Sequence, residues 1–354
     1  MPKVLIIATS PKTRGGITSV IKSHQKGDQW NTFHCKWIAT HIDRNFIWKF
    51  IYLINGWLTY IILLPFYDIV HIHTSEPPSA LRKCLFFPFA KLLRKKTIIH
   101  FHSFSPDSTI RGKYHRIYQY LFSHADKVVV LSQLWKKYVN DTFQLHDKVE
   151  IIYNPCIIIE TNLKHTPQNY ILYAGTINDR KGYADLIIAF SKIAKKHIDW
   201  NIVFAGNGEI EKGKQIAAEL GISSQVEWLG WVDGEFKTNA FQNASIFCLP
   251  SYAEGFPMAV LDAWAYNLPV ITTPVGGIPD IANEGENLML FIPGDIESLA
   301  TKLDLLISNK QLRIKISKGG YQLVNSIFNI QTINNKIEDL YLKLITNKKD
   351  DSNS

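Results

Sequence analysis

Residues 252–264 read Tyr-Ala-Glu-Gly-Phe-Pro-Met-Ala-Val-Leu-Asp-Ala-Trp and stand between two strand-like runs, 246–250 and 269–273. Strand, loop, helix and strand in this order predict a βαβ unit whose helix opens at Met258. Ligands of open α/β sheets bind at the carboxyl ends of the strands. The loop 255–257 is therefore predicted to belong to a binding site.

Two acidic residues, Glu254 and Asp262, stand on either side of this predicted helix start. At a rise of ~1.5 Å per residue, the two acids can sit roughly 10 Å apart. The unpaired N–H groups at a helix start favour a phosphate between them. An acid, an anion site and a second acid fit a sugar, a diphosphate and a ribose. Taken in isolation, the same spacing is more typical of an exposed helix with two ordinary surface acids.

The stretch resembles the Glu-x7-Glu signature of the retaining GT-B glycosyltransferases of family 4, with Asp262 where the family usually has Glu. The resemblance implies an α/β protein with two Rossmann-like domains that face each other across a cleft. It also implies that Glu254 is associated with the donor sugar and Asp262 with the nucleotide ribose. The loop Gly255, Phe256 and Pro257 then belongs to the donor site.

A second segment resembles the family's G-R-x4-K-G motif. A strand over 170–175 is followed by residues 176–182, in which Lys181 matches the lysine associated with the donor diphosphate. Thr176 occupies the family's arginine position, so Arg180 is a candidate substitute. Because the chain has no Asp-x-Asp metal signature, lysine, arginine and backbone N–H groups are expected to neutralise the diphosphate without a metal. A solvated loop lysine is the alternative for Lys181.

Two glycine- and tryptophan-containing segments also fit the family. The strand 201–205 runs into Gly206 and Gly208, and the strand 226–232 ends near Trp231, which resembles the nucleobase-contacting segment. Gly206 is equally compatible with a tight turn, and Trp231 with a core position. The loop 273–280 resembles a further family loop, in which glycine allows close backbone approach.

The first half repeats the strand-glycine-helix order. A strand over 3–8 is followed by Gly15 and Gly16 and by a predicted helix over 18–26, without a dinucleotide fingerprint or a P-loop. The family's paired glycines lie beside the cleft, near donor phosphate and acceptor. Strands are also predicted over 68–73 and 97–102, and His102 matches a cleft histidine of the family.

Four histidines in these two strands raise the question of a metal site: His71, His73, His100 and His102. Residues i and i+2 of a strand share a face, so such pairs can be ligands. No nearby carboxylate or cysteine cluster completes a set. The sequence therefore predicts no metal site.

Length and composition predict a globular protein of two domains. The chain has 354 residues, of which 46% are hydrophobic and 20% charged. Its four cysteines are scattered without a disulfide or zinc pattern. The start, Met1-Pro2-Lys3, leads straight into a strand without a signal peptide, so the cytoplasm is the expected compartment.

The expected domain borders follow from breaker residues and polar runs. Residues 1–160 are predicted to form an acceptor-binding domain and 161–325 a donor-binding domain, with a polar linker over 160–169. A helix over 326–347 is expected to cross back to the first domain, as it does in the family. Residues 348–354 are predicted to be a flexible tail.

Charge is concentrated in the first half, where residues 1–160 hold 21 basic and 10 acidic residues, against 18 and 21 in 161–354. Basic and large apolar residues are mixed over 79–96, which suits a helix on an anionic membrane surface, bent at Pro88. No nucleic-acid reading motif is present. The uncharged run 50–67 fits a domain-packed helix, an interfacial helix or a membrane span.

These observations favour an enzyme that moves a sugar, with retention, from a UDP- or GDP-sugar to a hydroxyl of a glycan or lipid-linked glycan. The setting expected from the resemblance is bacterial surface polysaccharide synthesis at the inner face of the cytoplasmic membrane. Glu254, Lys181, Arg180 and His102 are the expected catalytic residues, and no cofactor beyond the donor is expected. A sugar-nucleotide epimerase and a noncatalytic nucleotide-sugar-binding subunit are the alternatives.

Overall fold

The computed structural model describes residues 1–159 and 167–350. The chain divides into two compact units, one formed by Met1–Pro155 together with the chain from Ile330 onward, the other by Cys156–Asn329. Most of the predicted linker, at 160–166, lies outside the described residues, as does the end of the predicted tail, at 351–354.

The first unit is a parallel sheet with the strand order β2-β1-β3-β4-β5-β6. Its strands and its helices up to residue 143 are β1 Val4–Ala8, α1 Gly16–His24, α2 Asp28–Thr32, β2 Lys36–Ala39, α3 Phe46–Leu63, β3 Ile69–Thr74, α4 Pro77–Lys83, α5 Phe87–Leu92, β4 Lys96–Phe101, α6 His115–His124, β5 Lys127–Val130, α7 Gln133–Phe143 and β6 Val149–Ile151.

The burial of each strand in this sheet explains why some strands were predicted from the sequence and others were not. Every residue of β1 is buried, as is typical of a parallel sheet covered on both faces. The edge strand β2 is short and mostly half-exposed, so it lacks the continuous apolar run that would have predicted it.

The second unit is a parallel sheet with the strand order β12-β11-β10-β7-β8-β9. The chain adds strands on one side of β7 up to β9 and then on its other side from β10 to β12, so the strand order reverses between β7 and β10. Ligands of doubly wound sheets bind at such a reversal. Its elements are β7 Tyr170–Ala174, α8 Tyr183–Ser191, β8 Asn201–Ala205, α9 Ile210–Glu219, β9 Val226–Gly230, α10 Gly234–Gln242, β10 Ile246–Leu249, α11 Met258–Ala265, β11 Val270–Thr272, β12 Met289–Leu290, α12 Ile296–Ser308 and α13 Lys310–Asn325.

The last helix, α14, runs over Ile330–Asp350 and belongs to the first unit. It starts four residues later than predicted and continues through the first part of the predicted tail. Its buried apolar residues recur at helical spacing and pack with those of β1 and β3: Ile333, Ile337, Leu340, Tyr341 and Leu344.

The basic segment 79–96 does not form the predicted single bent helix. It forms α4 and α5, and Pro88 lies in the first turn of α5, where a missing N–H is tolerated. Phe86, between the two helices, and Phe87, the first residue of α5, are fully buried, so the chain turns into the core there. Lys83 is only 1% exposed and is therefore not part of a basic surface.

Helix α3 continues as a short 3-10 turn to Phe66 and packs through one stripe only. Gly56, Tyr60 and Leu64 face the core, and the Tyr60 hydroxyl donates to the Phe86 carbonyl at 2.8 Å. Within the described residues, the segment Phe46–Phe66 is the one helix whose length and apolar composition would suffice to cross a membrane, and 17% of its apolar window is buried.

Candidate active site

The loops that follow β7 and β10 bring Lys181 and Glu254 together at the point where the strand order of the second sheet reverses. The two residues are 73 positions apart in the chain, and the Lys181 ammonium donates to Glu254 Oε1. Both side chains are largely buried. Because the Lys181 side chain is largely buried and paired with Glu254, the alternative prediction of a solvated loop lysine is wrong.

The turn that carries Lys181 is built by its neighbours. The Asn178 side chain accepts a hydrogen bond from the Lys181 backbone N–H at 3.1 Å, and this caps the 3-10 turn Asp179–Lys181. Gly182 ends the turn at φ 68°, and a Cβ there would lie 2.0 Å from the Pro250 carbonyl oxygen. Only glycine allows the turn to lie this close to the end of β10.

Arg180 also lies at the site. Its guanidinium donates to the Ala253 carbonyl at 2.6 Å and lies 3.8 Å from Glu254 Oε1. The structure thus places a second cation beside Glu254, although Thr176 stands at the family's arginine position. Arg180 and Lys181 thus place two positive charges beside one carboxylate.

Ser251, which was not predicted as a site residue, fixes the orientation of Glu254. Its hydroxyl donates to Glu254 Oε1 at 2.7 Å, and the Thr273 hydroxyl donates to the Ser251 carbonyl at 2.5 Å. Ser251 is fully buried. Its place in the same loop, three residues before Glu254, was the only available signal, because the contact depends on how the loop folds back.

The helix start predicted at Met258 is present. Pro257 precedes α11, and no side chain in the described parts of the chain caps this helix. The second loop supports the first: Gly277 donates its N–H to the Gly255 carbonyl at 2.8 Å. Phe256 is 4% exposed and packs on Phe328 at 5.0 Å, so its side chain belongs to the core and only its backbone can serve the loop.

Asp262 lies in α11 and forms an ion pair with Lys237 of α10 at 2.7 Å. Lys237 was not predicted as a site residue, because no local pattern links α10 to α11. Both side chains are partly exposed, and such a pair contributes little to stability.

For Gly206 and Trp231 the structure decides between the predicted ligand contact and a purely structural role in different ways. A Cβ on Gly206 would lie 1.8 Å from the Gly175 carbonyl oxygen, so this glycine is required for the close approach of the β7 and β8 ends. The tight-turn reading thus explains it without a ligand. Trp231 follows β9 and is 40% exposed, so the core reading of this side chain is wrong.

The remaining predicted residues belong to the first unit. Gly15 precedes α1 at φ 132°, and Gly16 is its first residue, after the carboxyl end of β1. His102 follows β4, is half-buried, and has its Nε2 3.0 Å from His73 Nδ1. Burial lowers the pKa of His102 to about 3, so this imidazole is neutral near pH 7.

The four strand histidines form a stacked array across β3 and β4. Neighbouring rings have centroids 4.3–5.4 Å apart. His71 shares hydrogen bonds with the Tyr341 hydroxyl at 2.7 Å and with His100 at 3.3 Å. The ligand atoms of His71, His73 and His100 lie within 4.8 Å of one another, close enough for a metal set. Four of the six ring nitrogens of these three histidines already take part in hydrogen bonds with Tyr341, with His102 or with one another, which favours the hydrogen-bonded array.

Two Rossmann-like units, each with its own parallel sheet, define the GT-B fold. The solved structure of Anabaena HepE in complex with UDP-glucose has the same fold, with a TM-score of 0.78 and 17% identity over 97% of this chain and 100% of that one.

Family models match both units. The model "Glycosyl transferases group 1" matches residues 157–323, and "Glycosyltransferase Family 4" matches residues 23–156. The chain therefore belongs to the group 1 glycosyl transferases of family 4.

Two curated relatives are enzymes of surface polysaccharides. A lipopolysaccharide 1,6-galactosyltransferase of Salmonella typhimurium is 28% identical over 63% of this chain and 63% of its own length. A capsular polysaccharide biosynthesis glycosyltransferase of Staphylococcus aureus is 28% identical over 49% of this chain and 46% of its own length. The chain thus spans about half to two thirds of these relatives.

Proposed function

We propose that the protein transfers a sugar from a nucleotide diphosphate sugar to a hydroxyl of a glycan or lipid-linked glycan, with retention and without a metal. The observation that carries the proposal is the Lys181–Glu254 pair at the reversal of the second sheet, beside the start of α11. Ligands bind at this place in doubly wound sheets, and a helix start favours a phosphate. The relatives' names support surface polysaccharide synthesis as the setting.

Each residue has a distinct role in this reaction. Lys181 and Arg180 stabilise the negative charge that develops on the departing diphosphate, which is the largest electrostatic demand of glycosidic cleavage. Glu254 holds the donor sugar hydroxyls and keeps Lys181 oriented. Asp262 binds the ribose after leaving Lys237, and exposed Trp231 stacks on the base. A UDP- or GDP-sugar fits this arrangement.

The first unit is proposed to hold the acceptor, with Gly15, Gly16 and His102 near its hydroxyl. His102 is neutral near pH 7, so it can donate or accept a hydrogen bond without adding charge. The basic first half and the exposed apolar side of α3 support peripheral contact with an anionic membrane from the cytoplasmic side.

Replacing Lys181 by alanine should reduce sugar transfer roughly 100-fold or more, since one donor to the developing charge is lost. Nucleotide release from a panel of UDP- and GDP-sugars, with lipid-linked acceptors, measures the effect. Lys315→Ala is the matched control, because Lys315 forms an exposed ion pair with Glu286 at 2.5 Å. Equal transfer by the Lys181 and Lys315 variants would refute the site.

The same assay separates the alternatives. An epimerase isomerises the donor when no acceptor is present, whereas a transferase needs the acceptor. A noncatalytic subunit binds the nucleotide but releases none from any donor. Product analysis of the anomeric configuration by NMR tests retention.

A further inference from the structure

The first unit contains a cavity of about 510 Å³, which is lined by residues other than those of the Lys181–Glu254 site and the histidine array. One part of its wall comes from the first two turns of α3 and is apolar. Another part is cationic and comes from α3, α4 and the chain after β2. The apolar part includes Phe46, Phe50 and Leu53, and the other part includes Lys49, Arg82 and His41.

The two basic side chains of this cavity, Lys49 and Arg82, form no ion pair with the described residues. Neither Lys49 nor Arg82 has a carboxylate within ion-pair distance in the described residues, and the buried Nε of Arg82 has no hydrogen-bond partner there. Lys83 lies next to Arg82 in the chain, is fully buried and donates to the Thr40 hydroxyl at 2.5 Å. Arg82 is thus a partly buried cation without an anionic partner among the described residues, which favours an anion from outside the chain.

One carboxylate, Glu76, also lines the cavity. Its Oε1 accepts hydrogen bonds from the Ser103 hydroxyl at 2.9 Å and the Phe104 N–H at 3.0 Å. It therefore supports the loop after β4 and is not an ion-pair partner of Arg82. A second nearby acid, Asp43, raises the pKa of His41.

The state of His41 reports the same positive field. Burial lowers its pKa to about 4, with Arg82, Lys49 and Lys83 lowering it further and Asp43 opposing them. His41 is therefore neutral near pH 7. The lining therefore has two basic residues, Lys49 and Arg82, against one acidic residue, Glu76, and this excess of positive charge suits a phosphate ester.

The apolar wall continues along the exposed side of α3. Phe46 is 81% exposed, Ile47 66%, Phe50 56% and Ile62 67%. A ligand that meets both walls needs a phosphate at one end and a hydrocarbon chain at the other. A lipid phosphate in a bilayer has this form, whereas a soluble phosphorylated sugar does not use the apolar side.

We propose that this cavity binds the phosphate of a lipid, with Lys49 and Arg82 on the phosphate and the α3 side in the bilayer. On the proposed function, that lipid carries the acceptor. The inference therefore narrows the acceptor to an anionic, phosphate-bearing lipid and gives the membrane contact a defined residue set.

Flotation with phosphatidylcholine vesicles, with and without phosphatidic acid, tests this. The full chain should bind the vesicles that contain phosphatidic acid. Arg82→Gln and Lys49→Gln should each weaken that binding about fivefold, as expected for one basic group near an anionic surface. Lys137→Gln is the control, because Lys137 is an exposed lysine of α7 outside the cavity. Lys49 is exposed, so its variant is expected to fold even if Arg82→Gln does not.

Phe50→Ser should weaken binding to both kinds of vesicle, since it removes an exposed aromatic ring from the apolar side. Equal losses for Lys49→Gln and Lys137→Gln would show nonspecific charge attraction and overturn the proposal. Full competition by glycerol phosphate, which has no chain, would overturn it in favour of a soluble phosphate ester. UDP binding by the same variants should be unchanged, so failure here is distinguishable from failure of the donor site.

Discussion

Buried histidines make the first unit sensitive to acid. Burial lowers the pKa of His24 to about 4 and of His102 to about 3, and it lowers the pKa values of His71, His73 and His100 well below the ordinary value. In the unfolded chain each imidazole titrates near 6.5. Below that pH the unfolded chain binds more protons than the folded chain, so the free energy of unfolding falls as pH falls.

The expected loss is about 1 kcal/mol for each of these histidines near pH ~5.5, relative to pH ~7.5. Urea unfolding across this range measures it. His100→Asn should give a shallower dependence on pH, and exposed His146→Asn should not change the slope. A free energy of unfolding that stays constant between these pH values would contradict the burial of the array.

Individual site residues could be predicted to different degrees. Glu254 and Lys181 were recognisable because each lies in a short segment that follows a strand and resembles a motif of the glycosyltransferases of family 4. Ser251 and Lys237 were not, because their contacts with Glu254 and Asp262 depend on the folded loop and on the packing of α10 near α11. Phe256 was assigned to the ligand loop, but its ring lies in the core.

The turn between β7 and α8 positions Lys181 through one glycine. Gly182→Ala should destabilise the protein by about 1–3 kcal/mol more than an unstrained alanine change and should weaken UDP binding, since the Cβ would displace the turn from Pro250. Thermal unfolding and UDP titration measure both effects.

Gly221→Ala is the matched control for this change. Gly221 has φ 70°, close to the 68° of Gly182, but no atom lies within 4 Å of its ideal Cβ. It therefore reproduces the backbone strain without the clash. If both variants bind UDP equally well, the close approach of the turn to β10 does not position Lys181.

Most strands and helices near the site were predictable because their patterns are local. The β10, loop, α11 and β11 order follows from the sequence, including the helix start at Met258. The prediction of a single surface helix over 79–96 was wrong. The basic residues of this segment suggest a solvent-facing helix, but Phe86, Phe87 and Lys83 are buried in the folded chain.

The two-unit organisation makes the end of the chain part of the first unit. Removing residues 330–354 should lower the unfolding temperature of the first unit, because the apolar residues of α14 complete its core beside β1 and β3. Differential scanning calorimetry should show this loss. Removing residues 351–354 alone is the control, and an unchanged unfolding profile for the longer truncation would contradict the packing of α14.

Local sequence information established the α/β class, the order of strands and helices, and the two motifs that hold Lys181 and Glu254. Periodicity and short motifs carry this information because they arise from neighbouring residues. The Lys181–Glu254 pair, the support from Ser251, the exposed side of α3 and the unneutralised Arg82 required the folded chain. Each depends on contacts or burial between residues far apart in sequence, and no local pattern records which distant groups meet.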